Sequence, residues 1–299
     1  MSSLHRASEP LSLTATAKLK AFQELTKPRI TILILMVAVA SFYVASPAHV
    51  NLLRLLYAVL GIGLLGSGIF ALNHYLERDV DALMRRTAGR PLPTGRLKPN
   101  EALVFGIMLT AIALTILAAG LNPLSGFIGL FTFASYVLVY TPLKRHTPYH
   151  TPLGALSGAT PPLLGWAAAS GTLGVDAWIL FGILFLWQFP HFLAIEMMYS
   201  EDYARAGIRV LPVVDPTWKK VGIELLLALV LLLGVGILPF VTGLAGELYL
   251  IGAALSGIAF LVAGVRAVHR KEKLSSRQLL LTSVFYLPLV FGLLVLNVK

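Results

Sequence analysis

The sequence predicts an all-α fold: a polytopic membrane helical bundle of nine transmembrane helices with a cytoplasmic N-terminus. Three observations carry this expectation. First, 57% of the 299 residues are hydrophobic and only 13% are charged, about half the charged share of a soluble domain. So much apolar surface cannot be hidden in one soluble core, and lipid is the solvent that accommodates it. Second, apolar windows long enough to cross ~30 Å of hydrocarbon recur nine times, near 30–47, 53–75, 102–120, 123–141, 151–170, 177–199, 221–242, 246–266 and 279–297. Third, all 24 lysines and arginines except Arg54 and Lys299 fall in alternate connections: 1–29, 76–101, 142–150, 200–220 and 266–278. That is the asymmetry of cytoplasmic loops.

Segment 1–29 is too long and too polar for an ordinary signal n-region, and the run after it is long enough to span. It reads as an uncleaved cytoplasmic segment preceding a single domain, 30–299. Within it, "AKLKAFQELTKPRIT" fits a short amphipathic helix lying on the inner surface and ending at Pro28. The spans after it are too long and too continuous for barrel strands, which alternate. In lipid they must therefore be helices. The second, sixth and eighth stay nearly free of charge until their ends. The outer connections are very short, about 121–122, 171–176 and 243–246, whereas 76–101 and 200–220 are long and polar. Function is therefore expected on the cytoplasmic side.

The chain has no cysteine. Disulfides, thiolate ligands, iron–sulfur clusters and a cysteine nucleophile are excluded. The net charge of +10 lies between apolar spans, which matches membrane topology and not nucleic-acid binding.

Two polar constellations stand out. The first, "NHYLERDVDALMRRTAGRPLPTGRL" at 73–97, begins inside an apolar run, where polar groups are expensive and tend to be functional. Asn73, Glu77 and Asp81 are spaced four and eight apart and share one helical face; Asp79 points elsewhere. Two carboxylates and a carboxamide form an all-oxygen set suited to Mg²⁺ with phosphate and water completing its shell. Arg86 and Arg90 just beyond can offer paired donors to a diphosphate. The same spacing also fits a solvated charged loop with Arg78 and Arg85 paired to Glu77 and Asp81.

The second constellation, "LFLWQFPHFLAIEMMYSEDYARAGIRVLPVVDP" at 184–216, repeats the theme after the sixth span. His191, Ile195 and Asp202 share a face, Gln188 and Tyr199 lie at its edge, and Pro190 is placed to kink the helix. His191 fits either a hydrogen bond to a neighbouring helix or a substrate contact, a proton acceptor or an axial haem ligand. Glu196 is on a different face, placed either to pair with an arginine or to point into the cavity.

The first stretch resembles the aspartate-rich motif N-D-x-x-D-x-x-x-D, with R-T-x-x-R-P after it, of the intramembrane prenyltransferases, the UbiA superfamily. Asn73, Glu77 and Asp81 occupy its first, third and last acidic-motif positions, and Arg86, Thr87, Arg90 and Pro91 match the R-T-x-x-R-P run. His74 stands where the first Asp is usual, and Glu77 replaces the second. "YTPLKR" at 140–145, "WQFPHFLAI" at 187–195 and "EDYARAGIRVLPVV" at 201–214 are closer to the branch that farnesylates protohaem IX.

The resemblance implies a helical bundle around a lipid-open cavity in the cell membrane. It implies Mg²⁺, farnesyl diphosphate and haem B, with haem as substrate and not as resident cofactor. It places Asn73, Glu77, Asp81 and Asp202 at the metal and the chemistry. Arg86, Arg90, Lys144 and Arg145 fall at the diphosphate, and His191, Trp187 and Tyr199 at the haem. A haem A synthase or a terminal-oxidase assembly is the implied consumer of the product. The second motif is thinned to Glu201 and Asp202, unlike that of the quinone-pathway enzymes.

A quinone-type prenyltransferase acting on a hydroxylated aromatic acid is the nearest alternative, and "FPHF" argues against it. The D-G-x-x-A-R spacing of CDP-alcohol phosphotransferases is absent. A secondary transporter would carry an inverted repeat and charges at mid-membrane depth, and neither is visible.

Overall fold

The computed structural model describes residues 14–46 and 49–299. Residues 1–13 of the predicted N-terminal segment, Arg6 among them, lie outside the described residues. Among the described residues the only β pairing is an isolated bridge between Ala245 and Val298; the rest of the architecture is helical.

Helix α1 (Ala15–Leu25) starts at Thr14, whose Oγ1 accepts the Ala17 N–H at 3.3 Å. Helix α2 (Pro28–Val44) starts on Pro28, at a position where the missing N–H would have had no helical partner. Lys27 between them takes a left-handed φ of 46°, and the two axes meet at 46°. Helix α3 (Leu52–Asp81) has 30 residues, about 45 Å at 1.5 Å per residue. That exceeds the hydrocarbon thickness, so its last turns carry polar side chains clear of the apolar layer.

Helices α4 (Pro99–Leu121) and α5 (Pro123–Leu143) each contain a widened π-helical stretch, Ile116–Leu121 and Ala134–Tyr140. Helices α6 (Thr151–Gly158) and α7 (Pro161–Ser170) are short. Helix α8 (Val175–Met198) leads into α9 (Ser200–Arg205) and α10 (Leu211–Val214). Three long helices complete the chain: α11 (Lys219–Val241), α12 (Glu247–Arg270) and α13 (Lys273–Leu296).

Among the described residues seven helices are long and apolar enough to cross a membrane, and the bent pair α1–α2 makes an eighth. The expected nine differ from this at two windows. The 30–47 window is a 17-residue helix, at the short end of what crosses the hydrocarbon, and it is bent by 46° from α1. The 151–170 window is broken between α6 and α7. Pro161 and Pro162 have no N–H to give, so the helix cannot run through them. A window average of hydropathy does not register such a break. The broken backbone is tolerated because it is buried in protein, not exposed to lipid: Ala159, Thr160, Pro161 and Pro162 are all buried.

The helices close into a ring. α2 packs on α3, α3 on α4, α4 on α5, α5 on α6, α6 on α8, α8 on α11, α11 on α12 and α12 on α13, and α13 returns to both α8 and α2. One core cluster lies among α8, α11, α12 and α13 around Tyr249, Phe260, Tyr286 and Phe291. A second lies among α2, α3, α4 and α7 around Phe42, Leu65 and Leu117. Between α3 and α4 the backbones touch: a Cβ on Gly68 would stand 2.9 Å from the Gly106 carbonyl oxygen, the small-residue approach that membrane helices use. The outside is apolar. Phe285 is 73% and Leu296 77% exposed, positions that only lipid can cover without cost.

Candidate active site

The bundle encloses a cavity of about 460 Å³, and the end of α3 delivers its charge. Asn73, Glu77 and Asp81 are buried and all line the cavity. Asp79 points away: its side chain is 75% exposed and 3.7 Å from Arg78.

Each group of the stripe faces a cation or a donor. Glu77 forms an ion pair with the Lys144 ammonium. Asp81 Oδ2 is 2.6 Å from Arg90 Nη1. Asn73 Oδ1 accepts from Lys27 Nζ at 3.3 Å, and Asn73 Nδ2 donates to Thr141 Oγ1 at 3.4 Å. Lys27 also lies 4.9 Å above the Phe70 ring. Thr87 Oγ1 donates to the Asp81 carbonyl at 2.8 Å and so shapes the turn that brings Arg86 and Arg90 to the cavity. Lys27, Arg86, Arg90 and Lys144 thus surround two carboxylates at one end. The excess of positive charge in a low-dielectric cleft focuses attraction on a polyanion.

The donor set fits a divalent cation. Asp81 Oδ1 is buried with no hydrogen-bond partner, beside a second carboxylate. Among the described residues no three His, Asp or Glu side chains converge on one point. An ion here would take its protein ligands from one or two carboxylates and the rest from water and phosphate, which is the habit of Mg²⁺ and not of zinc.

The opposite wall belongs to α8. The Trp187 and His191 rings stack with centroids 4.6 Å apart and planes 21° apart. Both are fastened to α13 through one residue: Trp187 Nε1 donates to the Ser283 carbonyl at 2.8 Å, and His191 Nδ1 lies 2.8 Å from Ser283 Oγ. Thus His191 bonds a neighbouring helix and also lines the cavity. Gln188 Nε2 donates to the Ala155 and Leu184 carbonyls, both at 3.1 Å, pinning α8 against α6 near the break.

Three expected site residues do not line the cavity. Asp202 accepts from the Arg86 backbone N–H at 3.1 Å and from Arg205 Nη1 at 2.9 Å. Its carboxylate fastens the 82–98 loop to α9, and it is not among the cavity-lining residues. Burial pushes that carboxyl up, but these donors outweigh it and hold it below the usual range. Tyr199 lies under the Arg86 guanidinium at 5.3 Å. Arg145 Nη2 donates to the Leu76 carbonyl at 2.5 Å. Neither Tyr199 nor Arg145 lines the cavity.

Other residues enter the cavity that the sequence reading did not select: Lys27, Tyr136, Tyr140, His150 and Tyr203. Only the tyrosine pair carried a signal, the four-residue spacing in "SYVLVYTPLKR". Burial pushes the Tyr203 phenol up to about 12 and draws the His150 imidazole down to about 4, so both are neutral near pH 7.

Comparison with known proteins agrees with this architecture. The model of the UbiA prenyltransferase family matches residues 34–291. The protoheme IX farnesyltransferase of Solibacter usitatus is 47% identical over 288 residues, 93% of this chain and 99% of that protein. That of Opitutus terrae is 38% identical over 284 residues, 95% of this chain and 96% of that protein. Among solved structures, a UbiA homologue from Aeropyrum pernix superposes with a TM-score of 0.73 at 20% identity, covering 90% of this chain and 97% of that one. One from Archaeoglobus fulgidus, bound to DMAPP and Mg²⁺, gives 0.67 at 17% identity, covering 92% and 99%. This chain belongs to the UbiA prenyltransferase family, in the group that holds the protoheme IX farnesyltransferases.

Proposed function

We propose that the chain transfers the farnesyl group of farnesyl diphosphate to a vinyl group of protohaem IX (haem B), with addition of water, to give haem O. One observation supports this above the rest. Two buried carboxylates and four cations lie at one end of an apolar cavity whose other wall carries the stacked Trp187–His191 pair.

Lys27, Arg86, Arg90 and Lys144 receive the diphosphate. Mg²⁺ held by Glu77, Asp81 and Asn73 would screen its charge and act as a Lewis acid toward the leaving oxygen. Lys144 and Arg90, now paired with Glu77 and Asp81, are placed to turn to phosphate oxygens, Arg90 through its planar fork. The farnesyl tail lies along the apolar side chains of α2. The allylic C–O bond breaks and its electron pair leaves with diphosphate. The vinyl π electrons form the new C–C bond, and the positive charge moves to the carbon beside the porphyrin. Water adds there and loses a proton. Tyr136 and Tyr140, ring centroids 5.1 Å apart, present π faces that favour an allylic cation. Trp187 and His191 offer a flat aromatic surface and a ring nitrogen to the porphyrin.

The carboxylate end faces the cytoplasm of the cell membrane in this reading, and haem O passes to a haem A synthase or a terminal-oxidase assembly. The test is direct. Purified protein in detergent, given farnesyl diphosphate, haem B and Mg²⁺, is expected to yield a haem heavier by one farnesyl group and one water. Chelation should stop it. Unmodified haem under both conditions would defeat the proposal.

A further inference from the structure

A buried histidine–glutamate pair also lines the cavity. His150 precedes the first turn of α6, and Glu196 lies on α8. His150 Nε2 stands 3.5 Å from Glu196 Oε1. Both side chains are more than nine-tenths buried, and both line the cavity. Both ring nitrogens of His150 and the Oε2 of Glu196 lack a hydrogen-bond partner. Burying that many unpaired polar atoms in an apolar bundle is unfavourable, and packing needs none of them. A small polar guest such as water, with two or more partners to bond, removes the penalty.

His150 follows Lys144 in the same short connection, and Lys144 is the partner of Glu77 at the diphosphate end. Glu196 follows His191 by five residues on α8, about 7.5 Å along the axis. The pair therefore lies between the charged end and the Trp187–His191 wall. In the farnesyl-to-haem reading, the prenyl carbon and the porphyrin vinyl meet in that interval.

We propose that Glu196 is the proton acceptor for the water that ends the reaction, and that His150 is the positioning residue that orients it. This rests on the farnesyl-to-haem reading above. A water bound to Glu196 attacks the cationic carbon beside the porphyrin through an oxygen lone pair. The C–O bond forms, one O–H bond breaks, and the proton passes to the Glu196 carboxylate, leaving a secondary alcohol. Without the acceptor, the same cation discharges by losing a proton from the adjacent CH₂ to the departing diphosphate. That gives an alkene lighter by one water.

The experiment measures the ratio of alcohol to alkene product by mass, from farnesyl diphosphate, Mg²⁺ and haem B, with protein purified in detergent. Wild type is expected to give the alcohol. Glu196→Gln, which keeps the shape, is expected to lower the ratio at least tenfold, a conservative share of what general bases contribute. Glu196→Asp should restore part of it, and His150→Gln should lower it by a smaller factor while leaving the KM for farnesyl diphosphate unchanged. Because His150 lies on a different element, its variant carries the test even if a Glu196 variant misfolds. An unchanged ratio in Glu196→Gln or, where that protein misfolds, in His150→Gln overturns the assignment, whether or not the rate falls. No farnesylated haem from wild type would instead overturn the reading of the reaction itself.

Discussion

Asp81 carries more of this account than any other side chain. One of its oxygens is committed to Arg90 at 2.6 Å, and the other is buried without a partner. Asp81→Ala is expected to lower prenyl transfer at least ~100-fold, in line with loss of a key electrostatic group in a dry site. Asp79→Ala should stay within about twofold, because exposed ion pairs of the Arg78–Asp79 kind contribute little. Steady-state rates on the two purified variants check this, and equal loss at both positions would contradict the face assignment. Arg90→Lys keeps the charge but loses the fork, so the KM for farnesyl diphosphate should rise roughly tenfold, as one charge-assisted bond implies. His191→Ala should remove haem prenylation and leave Mg²⁺-dependent farnesyl diphosphate binding intact. Binding lost together with turnover would show that the wall collapsed. The stripe of Asn73, Glu77 and Asp81 was legible because helical spacing alone fixes a shared face. Lys27 was not. It reaches Asn73 only because the chain bends by 46° at a left-handed residue, and no periodicity encodes that bend.

Among the elements, the 82–98 loop decides whether the arginines reach the cavity. Two clamps hold it. Arg96 makes paired bonds to Glu24 on α1 at 2.8 and 2.7 Å. Asp202 holds the Arg86 backbone N–H from the other side. Asp202 is depressed below its ordinary value of 3.8. Its stabilisation is therefore complete above that pH and is lost only as pH falls through the lower folded value. The loop should resist proteolysis equally from pH 8 to pH 5 and open under stronger acid. Asp202→Ala should be cleaved there several-fold faster even at neutral pH, and equal cleavage of the two proteins would remove the clamp. Sequence alone could not separate this role from metal ligation, because a polar helix end looks the same whether it meets a cavity or a loop. The break between α6 and α7 escaped for a related reason. Its prolines lie in a window whose mean hydropathy is that of an unbroken span.

Taken whole, the molecule separates its two problems. A ring of apolar helices provides a lipid-facing exterior, and one end of its interior concentrates charge that lipid could not tolerate. The all-α membrane class was readable from composition and loop charge, since both follow from the solvent that the chain must face. The count of spans was less readable, because two short helices buried by protein can stand where one lipid-spanning helix is expected. In the proposed function, the feature that favours haem over a quinone precursor is the α8 wall. Trp187 and His191 are stacked and tied to Ser283, a flat aromatic surface suited to a porphyrin. The most direct measurement is therefore a competition. Protein purified in detergent receives farnesyl diphosphate and Mg²⁺ with equal amounts of haem B and a hydroxylated benzoate, and mass spectrometry locates the farnesyl group. The farnesyl group is expected on haem alone, accompanied by one water; farnesyl carried by the benzoate would contradict the haem assignment.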